Sequence, residues 1–189
     1  MFGAAHGSPG SGYYTRPMAT LVRPDEKFHT SWLECTADFA GAHRDGAGGE
    51  DWLLEDLRDR GAFGRFVAGL LAEALPGTVL KPGYVPCTYL WIVENDSVIG
   101  SLAIRHELND FLLNEGGHIG YSVRPSARRR GHAAQALKNA LPIAGELGIS
   151  EVLLTCDEDN AGSRATIEAN GGVLEDIRHG KRRYWIAGA

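Results

Sequence analysis

The sequence predicts a mixed α/β domain. Strand-forming runs alternate with segments whose apolar residues recur every three or four positions, and 43% of the 189 residues are apolar. The resulting element order is β-α-α-β-β-β-α-β-α-β-β. A chain of this length usually forms one domain. We therefore expect a single domain over residues 18–189, preceded at residues 1–17 by a flexible leader or tag remnant rich in glycine, serine and proline.

The first part of this domain is predicted to be mainly helical. Residues 20–23 have the composition of a short strand. Asp25 can cap a helix that continues through Trp32. After a glycine-rich break, the apolar spacing over residues 50–74 predicts one helix, or two helices interrupted near Gly61.

The middle of the chain carries the strongest strand signals. Residues 88–94 and 97–105 are rich in strand-forming residues and flank the pair Asn95-Asp96. Such a pair between two strand-like runs is typical of a hairpin with a two-residue turn. We expect a loop over residues 109–117 and a further strand over residues 118–123.

The last part alternates between helix and strand. The predicted elements are a helix at 133–146 that Pro142 should kink, a buried strand at 151–156, a short helix at 161–170, and strands at 173–174 and 182–186 around a turn at Gly180.

The composition argues against several classes of protein. A formal net charge of −5 disfavours nucleic acid as the main partner, because binding phosphates requires a basic face. No apolar run approaches the roughly 18 residues that span a bilayer. The three cysteines are odd in number and far apart, so we expect no disulfide framework and a cytoplasmic location. His29, Cys35 and His43 match no zinc-binding spacing, so no metal is expected.

One segment has the character of an anion-binding site. A predicted strand at 118–123 leads through an arginine-rich turn with Gly131 into the helix at 133–146. The first amides of a helix lack carbonyl partners, so such a start binds phosphate groups, and a glycine lets the backbone approach them. The alternative is a solvated arginine patch beside a helix-start glycine. The segment is neither a P-loop nor a dinucleotide fingerprint, since it lacks their glycine spacing.

In its motifs the chain resembles the GCN5-related N-acetyltransferase (GNAT) superfamily. The family signature Gln/Arg-x-x-Gly-x-Gly/Ala is matched by Arg128, Gly131 and Ala133, shortly after Val123-Arg124-Pro125. Downstream, the family's asparagine and the glycine that ends the next helix are matched by Asn160 and Gly171.

The resemblance implies a central sheet of six to seven strands flanked by about four helices. In the family, acetyl-CoA enters where two parallel strands splay apart, which here are residues 118–123 and 151–156. The residues expected to contact the pantetheine arm and thioester are Tyr121, Ser122, Val123, Asn160 and Ser163. Those expected at the pyrophosphate are Arg128, Arg129, Arg130, Gly131, His132 and Ala133. Homodimers are common in the family.

The reaction implied is direct attack of a primary amine on the thioester. A lysine-like amine is only about 1 part in 2,500 neutral at pH 7, so a general base is useful. His118, Glu107 and Glu94 are the candidate bases, of which Glu94, beside the hairpin turn, is expected to be solvated. Many relatives carry a tyrosine as general acid where this chain has Ile167, so Ser163, Tyr121 or water would supply the proton.

Three interpretations of the function remain open. The first is a small-molecule amine, the second is a protein or peptide amine, and the third is a binding module that holds acyl-CoA without catalysis.

Overall fold

The computed structural model describes residues 19–187, and the predicted leader at residues 1–17 lies outside this range. The described residues form seven strands and four α-helices in the predicted order, which confirms the mixed α/β class. The strands are β1 Thr20–Val22, β2 Cys87–Glu94, β3 Ser97–Arg105, β4 Ile119–Val123, β5 Glu151–Asp157, β6 Val173–Arg178 and β7 Lys181–Ala187. The α-helices are α1 His29–Asp38, α2 Arg60–Ala72, α3 His132–Glu146 and α4 Ala161–Ala169.

The two hairpins follow from their turn residues. Asn95 and Asp96 both have positive φ, at 50° and 59°, which is the backbone of the two-residue turn that matches strand twist. His179 and Gly180 repeat this geometry, at 50° and 75°, between β6 and β7. Both predicted turns are therefore confirmed.

Strand β2 is buried on both faces, which divides the core into two halves. Leu90 and Ile92 pack with α3 and β5 on one face. Tyr89, Trp91 and Val93 pack with α1 and α2 on the other. The continuous apolar run in β2 reflects this position, since alternate side chains enter different cores.

The sheet is interrupted between β4 and β5. Within residues 19–187, the strands form an antiparallel sheet in the order β1-β2-β3-β4 and a second in the order β5-β7-β6. Helix α3 connects the two, as crossover helices do between parallel neighbours. A backbone bond from His118 N to Leu153 O, at 2.7 Å, joins the sheets at the start of β4. The strands then part, leaving a gap between β4 and β5.

Two predicted segments differ from the structure. The helix expected over residues 50–74 begins only at Arg60, because Asp59 caps it by accepting from Ala62 N at 2.8 Å. The loop expected over residues 109–117 contains a π-helical turn at Leu112–Gly116, which Asn109 starts by accepting from Leu112 N at 2.9 Å.

Candidate active site

The segment between β4 and α3 has the backbone of an anion site. Gly131 caps α3 with φ of 82°, and a Cβ added there would meet no atom within 4 Å. Arg129 also has positive φ, at 58°, and is exposed. The backbone around Gly131 is thus open to a ligand, and the amides of the first turn of α3 lie beside it.

Two of the arginines in this segment brace the site. Arg128 Nε donates to Val123 O at 2.9 Å. Arg130 donates to Glu94 at 3.3 Å, and His132 Nε2 lies 3.6 Å from the same carboxylate. The expectation that Glu94 is solvated is therefore wrong, because its side chain is only 9% exposed. It joins the end of β2 to the start of α3.

Helix α1 also supports this segment. Its last residue, Asp38, accepts from Arg124 Nε at 2.7 Å and from Ser126 Oγ at 2.5 Å. These bonds lower the pKa of Asp38 to about 2, so the carboxylate is charged at neutral pH. The turn that leads to Gly131 is thereby fixed at its start.

The backbone of β4 presents alternate residues to the gap. Arg105 N donates to His118 O and Arg124 N donates to Ile99 O, both at 2.8 Å, so the even-numbered residues of this stretch bond β3. By the alternation of antiparallel pairs, the N–H and C=O groups of Tyr121 and the N–H of Val123 then face the gap. Ser122 faces β3 instead, and its hydroxyl lies 3.1 Å from that of Ser101.

A cavity of about 470 Å³ opens from this gap. Its wall is formed by the α1–α2 loop, the end of α2, the loop before β2, the turn before β4, and the ends of the strands around the gap. The site residues that it brings together from the sequence analysis are Tyr121, Asn160 and Ser163.

The side chains of Asn160 and Tyr121 both bond the backbone of Ser163. Asn160 caps α4 by accepting from Ser163 N at 3.0 Å. The Tyr121 hydroxyl donates to Ser163 O at 3.4 Å. Burial raises the pKa of Tyr121 to about 12, so its hydroxyl stays protonated. Ile167, at the family's usual tyrosine position, is fully buried in the core and does not line the cavity.

His118 is not placed as a general base would be. It is 7% exposed, does not line the cavity, and its Nδ1 accepts from Leu153 N at 2.9 Å. Burial, and then the nearby Arg105, lower its pKa to about 4. The imidazole is therefore neutral at physiological pH, and the nitrogen that could accept a proton is already bonded.

The second candidate base lies elsewhere. Glu107 is exposed in the bend after β3 and does not line the cavity. Sequence reasoning missed a carboxylate that does, Glu73, which follows α2 and contacts Tyr89. Glu73 falls inside a helix-like pattern of residues, so only its tertiary contacts distinguish it from a surface glutamate.

The cavity is rich in negative charge. Five carboxylates line it, from Asp45, Glu50, Glu73, Glu115 and Asp157, against the cationic side chains of Arg105 and Lys181. Cys156 lines it as well, but burial raises the pKa of its thiol, which disfavours the thiolate and a nucleophilic role.

Residues 19–187 contain neither a cluster of metal ligands nor a membrane-spanning helix. This part of the chain holds no group of three or more His, Cys, Asp or Glu side chains placed to share a metal ion. It also has no helix with the length and apolar character needed to cross a membrane.

Solved structures share this fold at low sequence identity. The microcin C7 self-immunity acetyltransferase MccE, in complex with acetyl-CoA and AMP, has a TM-score of 0.60 and 15% identity, with 90% of this chain and 92% of that chain covered. RimJ from Mycobacterium smegmatis, in complex with CoA-disulfide, has a TM-score of 0.64 and 18% identity, covering 88% and 80%. RimL, a ribosomal-protein alpha-N-acetyltransferase in complex with coenzyme A, has a TM-score of 0.59 and 18% identity, covering 90% and 94%.

Sequence comparison identifies the family directly. No curated protein matches the chain significantly in sequence. The family model described as the acetyltransferase (GNAT) domain matches residues 24–173, which include the gap, the start of α3 and most of the cavity wall. The chain therefore belongs to the GNAT acetyltransferase domain family and is an N-acetyltransferase that uses acetyl-CoA.

Proposed function

We propose that the protein transfers an acetyl group from acetyl-CoA to a primary amine of a small molecule. The observation that carries this proposal is the cavity that opens from the β4–β5 gap. Its volume of about 470 Å³ lies in the range of small-molecule sites, and its five carboxylates favour a cationic acceptor.

The residues around the gap fit acetyl-CoA. The amides beside Gly131 at the start of α3 would hold the pyrophosphate, and the open space at this glycine lets phosphate oxygens approach. The backbone groups of Tyr121 and Val123 that face the gap would hold the pantetheine arm. Bound acetyl-CoA supplies the acetyl group as an activated thioester.

The amine attacks the thioester directly. Its nitrogen bonds the carbonyl carbon, and the carbon–sulfur bond breaks with its electron pair going to sulfur. A protonated amine gives up two protons in total, one to the departing thiolate and one to solvent. The Tyr121 hydroxyl is the first candidate to relay the proton from the amine to the thiolate, giving up its own proton and taking one from the amine, because it is protonated and lines the cavity. The Ser163 hydroxyl is the second candidate.

We assign His118 a positioning role instead of proton transfer. Its Nδ1 accepts from Leu153 N and its backbone N donates to Leu153 O, so it fixes the point where β4 and β5 separate. The cofactor would bind in the gap beyond this point. His118 would therefore affect cofactor binding indirectly, by setting the positions of β4 and β5.

The proposed function is tested by measuring CoA release over a panel of amines. Small primary amines, including amines on sugars and short alkyl chains, are compared with peptides that carry a free N-terminus. Faster turnover of small amines is the expected result, and the N-acetylated form of each compound is the matched control. Turnover of peptides alone would overturn the small-molecule assignment.

A protein acceptor is the second candidate. Tyr84 and Phe111 are 44% and 61% exposed at the cavity wall, where apolar peptide side chains could pack. The structural neighbours also include ribosomal-protein acetyltransferases. Binding of acetyl-CoA without acetylation of any amine would instead support a non-catalytic acyl-CoA-binding module.

Cellular location and assembly remain predictions. The buried, unpaired Cys35, Cys87 and Cys156 are consistent with a reducing compartment such as the cytoplasm. A homodimer is implied by the family resemblance alone.

A further inference from the structure

Glu73 is held in the cavity from two directions. It follows α2, and its backbone O accepts from Cys87 N at 3.2 Å. Its carboxylate accepts from the Tyr89 hydroxyl at 3.1 Å. Because burial raises the pKa of Tyr89, the phenol remains a donor. The Glu73 carboxylate is therefore fixed in position while it lines the cavity.

The anchor of Glu73 lies away from the gap. Tyr89 on β2 is opposite Ala103 on β3, and Ala103 is opposite Gly120 on β4. Two strand spacings separate the Cα atoms of Tyr89 and Gly120 by about 10 Å. The gap lies on the far side of β4. The strand that anchors Glu73 is thus two strands away from the edge that borders the gap, yet Glu73 lines the same cavity.

Three of the other four acids of the cavity have a basic partner, whereas neither Glu73 nor Glu50 forms an ion pair within residues 19–187. Asp157 pairs with Lys181 at 2.5 Å, Glu115 with His179 at 3.3 Å, and Asp45 with His43 at 3.1 Å. Within residues 19–187, no cationic side chain forms an ion pair with Glu73.

The groups facing Glu73 leave its negative charge uncompensated. They are Glu50 from the α1–α2 loop, Tyr84 from the loop before β2, and Cys87 and Tyr89 from β2. Burial is the main cause that raises the pKa of Glu73, and the Glu50 charge adds to it. A cation bound here would compensate the charge.

We infer, on the basis of the proposed acetyl transfer, that Glu73 binds a second cationic group of the acceptor, with its carboxylate held in place by Tyr89. The preferred acceptors are then diamines and related compounds whose two amines lie about 10 Å apart, the distance that two strand spacings give. One amine reaches the gap while the other remains charged at Glu73.

Arg105 favours a neutral amine at the gap and a charged amine at Glu73. Its guanidinium donates to Gly116 O at 2.9 Å and lies 3.2 Å from where a Cβ on Gly120 would be. A positive charge near the gap disfavours the protonated form of an amine bound beside it. The reactive amine is thereby favoured in its neutral form, which can attack the thioester.

The test compares hexylamine with 1,6-diaminohexane, which differ by the second amine. For the unchanged protein we expect kcat/KM to be about tenfold higher for the diamine, as a charged hydrogen bond provides. Glu73→Gln should bring the two values together by raising KM for the diamine. Glu146→Gln, the same change at an exposed site at the end of α3, should preserve the preference.

Each outcome has a distinct meaning. An undiminished preference for the diamine in Glu73→Gln would overturn the role of Glu73, as would equal kcat/KM values in the unchanged protein. Glu73→Asp, which retains the charge, should keep part of the preference, and acetyl-CoA affinity reports whether each variant is folded. If neither amine is acetylated while peptides are, the small-molecule proposal itself fails.

Discussion

His118 uses its side chain where an unbroken sheet would use a backbone carbonyl. Its Nδ1 accepts the amide of Leu153 at 2.9 Å, and its ring packs edge-on against Trp185 at 6.4 Å between centroids. The side chain occupies space between the strands while it satisfies the amide. Strands β4 and β5 are therefore joined at one point and free to separate beyond it.

This geometry predicts different effects for two amide replacements at residue 118. The Oδ1 of His118→Asn can accept from Leu153 N as Nδ1 does, whereas His118→Gln places its oxygen one bond farther away. We expect His118→Asn to retain acetyl-CoA affinity within a few-fold, and His118→Gln to weaken it by about tenfold, as for a lost buried hydrogen bond. Isothermal titration calorimetry measures both. A role as general base would instead reduce kcat equally in the two variants.

The same residue should make stability depend on pH. The folded pKa of about 4 lies below the usual histidine pKa of 6.5, so the unfolded chain binds the proton more readily. Stability is then lost as pH falls from about 6.5 towards 4, by up to about 3 kcal/mol. Urea denaturation of the unchanged protein and His118→Asn should show this loss in the former alone.

Local patterns predicted the backbone elements around the site. The strand ending at Val123, the turn at Gly131 and the short helix after Asn160 depend on neighbours in sequence, and the structure has each of them. The contacts of Glu94 with Arg130 and of Glu73 with Tyr89 are long-range. They depend on how β2 packs against α2 and α3, which no local pattern encodes.

Among the connecting elements, the α1–α2 loop packs most closely against the sheet. At Gly46, with φ of 72°, an added Cβ would collide with Gly120 O and lie 2.8 Å from Ala103 N. At Gly41, with φ of 81°, a Cβ would meet nothing within 4 Å. The loop thus lies directly on β3 and β4 at one wall of the cavity.

These two glycines form a matched pair for mutation. Gly41→Ala should cost about 1 kcal/mol of unfolding free energy, from the left-handed backbone alone. Gly46→Ala adds the collision with β4 and should cost about 2–4 kcal/mol. Urea denaturation measures both, and equal losses would mean that the loop does not rest on the sheet as described.

Among the helices and strands, the easiest to predict were those marked by residues close together in sequence. The β2–β3 hairpin follows from Asn95-Asp96, whose backbone can adopt positive φ. The start of α2 was misplaced because residues 50–58 carry apolar side chains at helical spacing, including Trp52 and Leu57, yet form turns and a short 3-10 helix that pack onto α2.

At the scale of the whole molecule, the site joins two sheets and should couple cofactor binding to stability. A ligand that binds only the folded state adds about 2.7 kcal/mol at 100 times its dissociation constant. For a domain of this size, acetyl-CoA should raise Tm by roughly 5–10 °C. Differential scanning fluorimetry with a salt-matched ATP control measures the shift, and no shift at saturating acetyl-CoA would contradict the cofactor site.

The gap between β4 and β5 also has a consequence for aggregation. Unpaired N–H and C=O groups along a strand are a template on which another extended chain can add. Here such groups, at Tyr121 and Val123, lie inside the molecule at an internal edge. Acetyl-CoA bound in the gap would cover this edge as an added strand does. Without the cofactor, the N–H and C=O groups of the edge would be open to pairing with an extended segment of another chain.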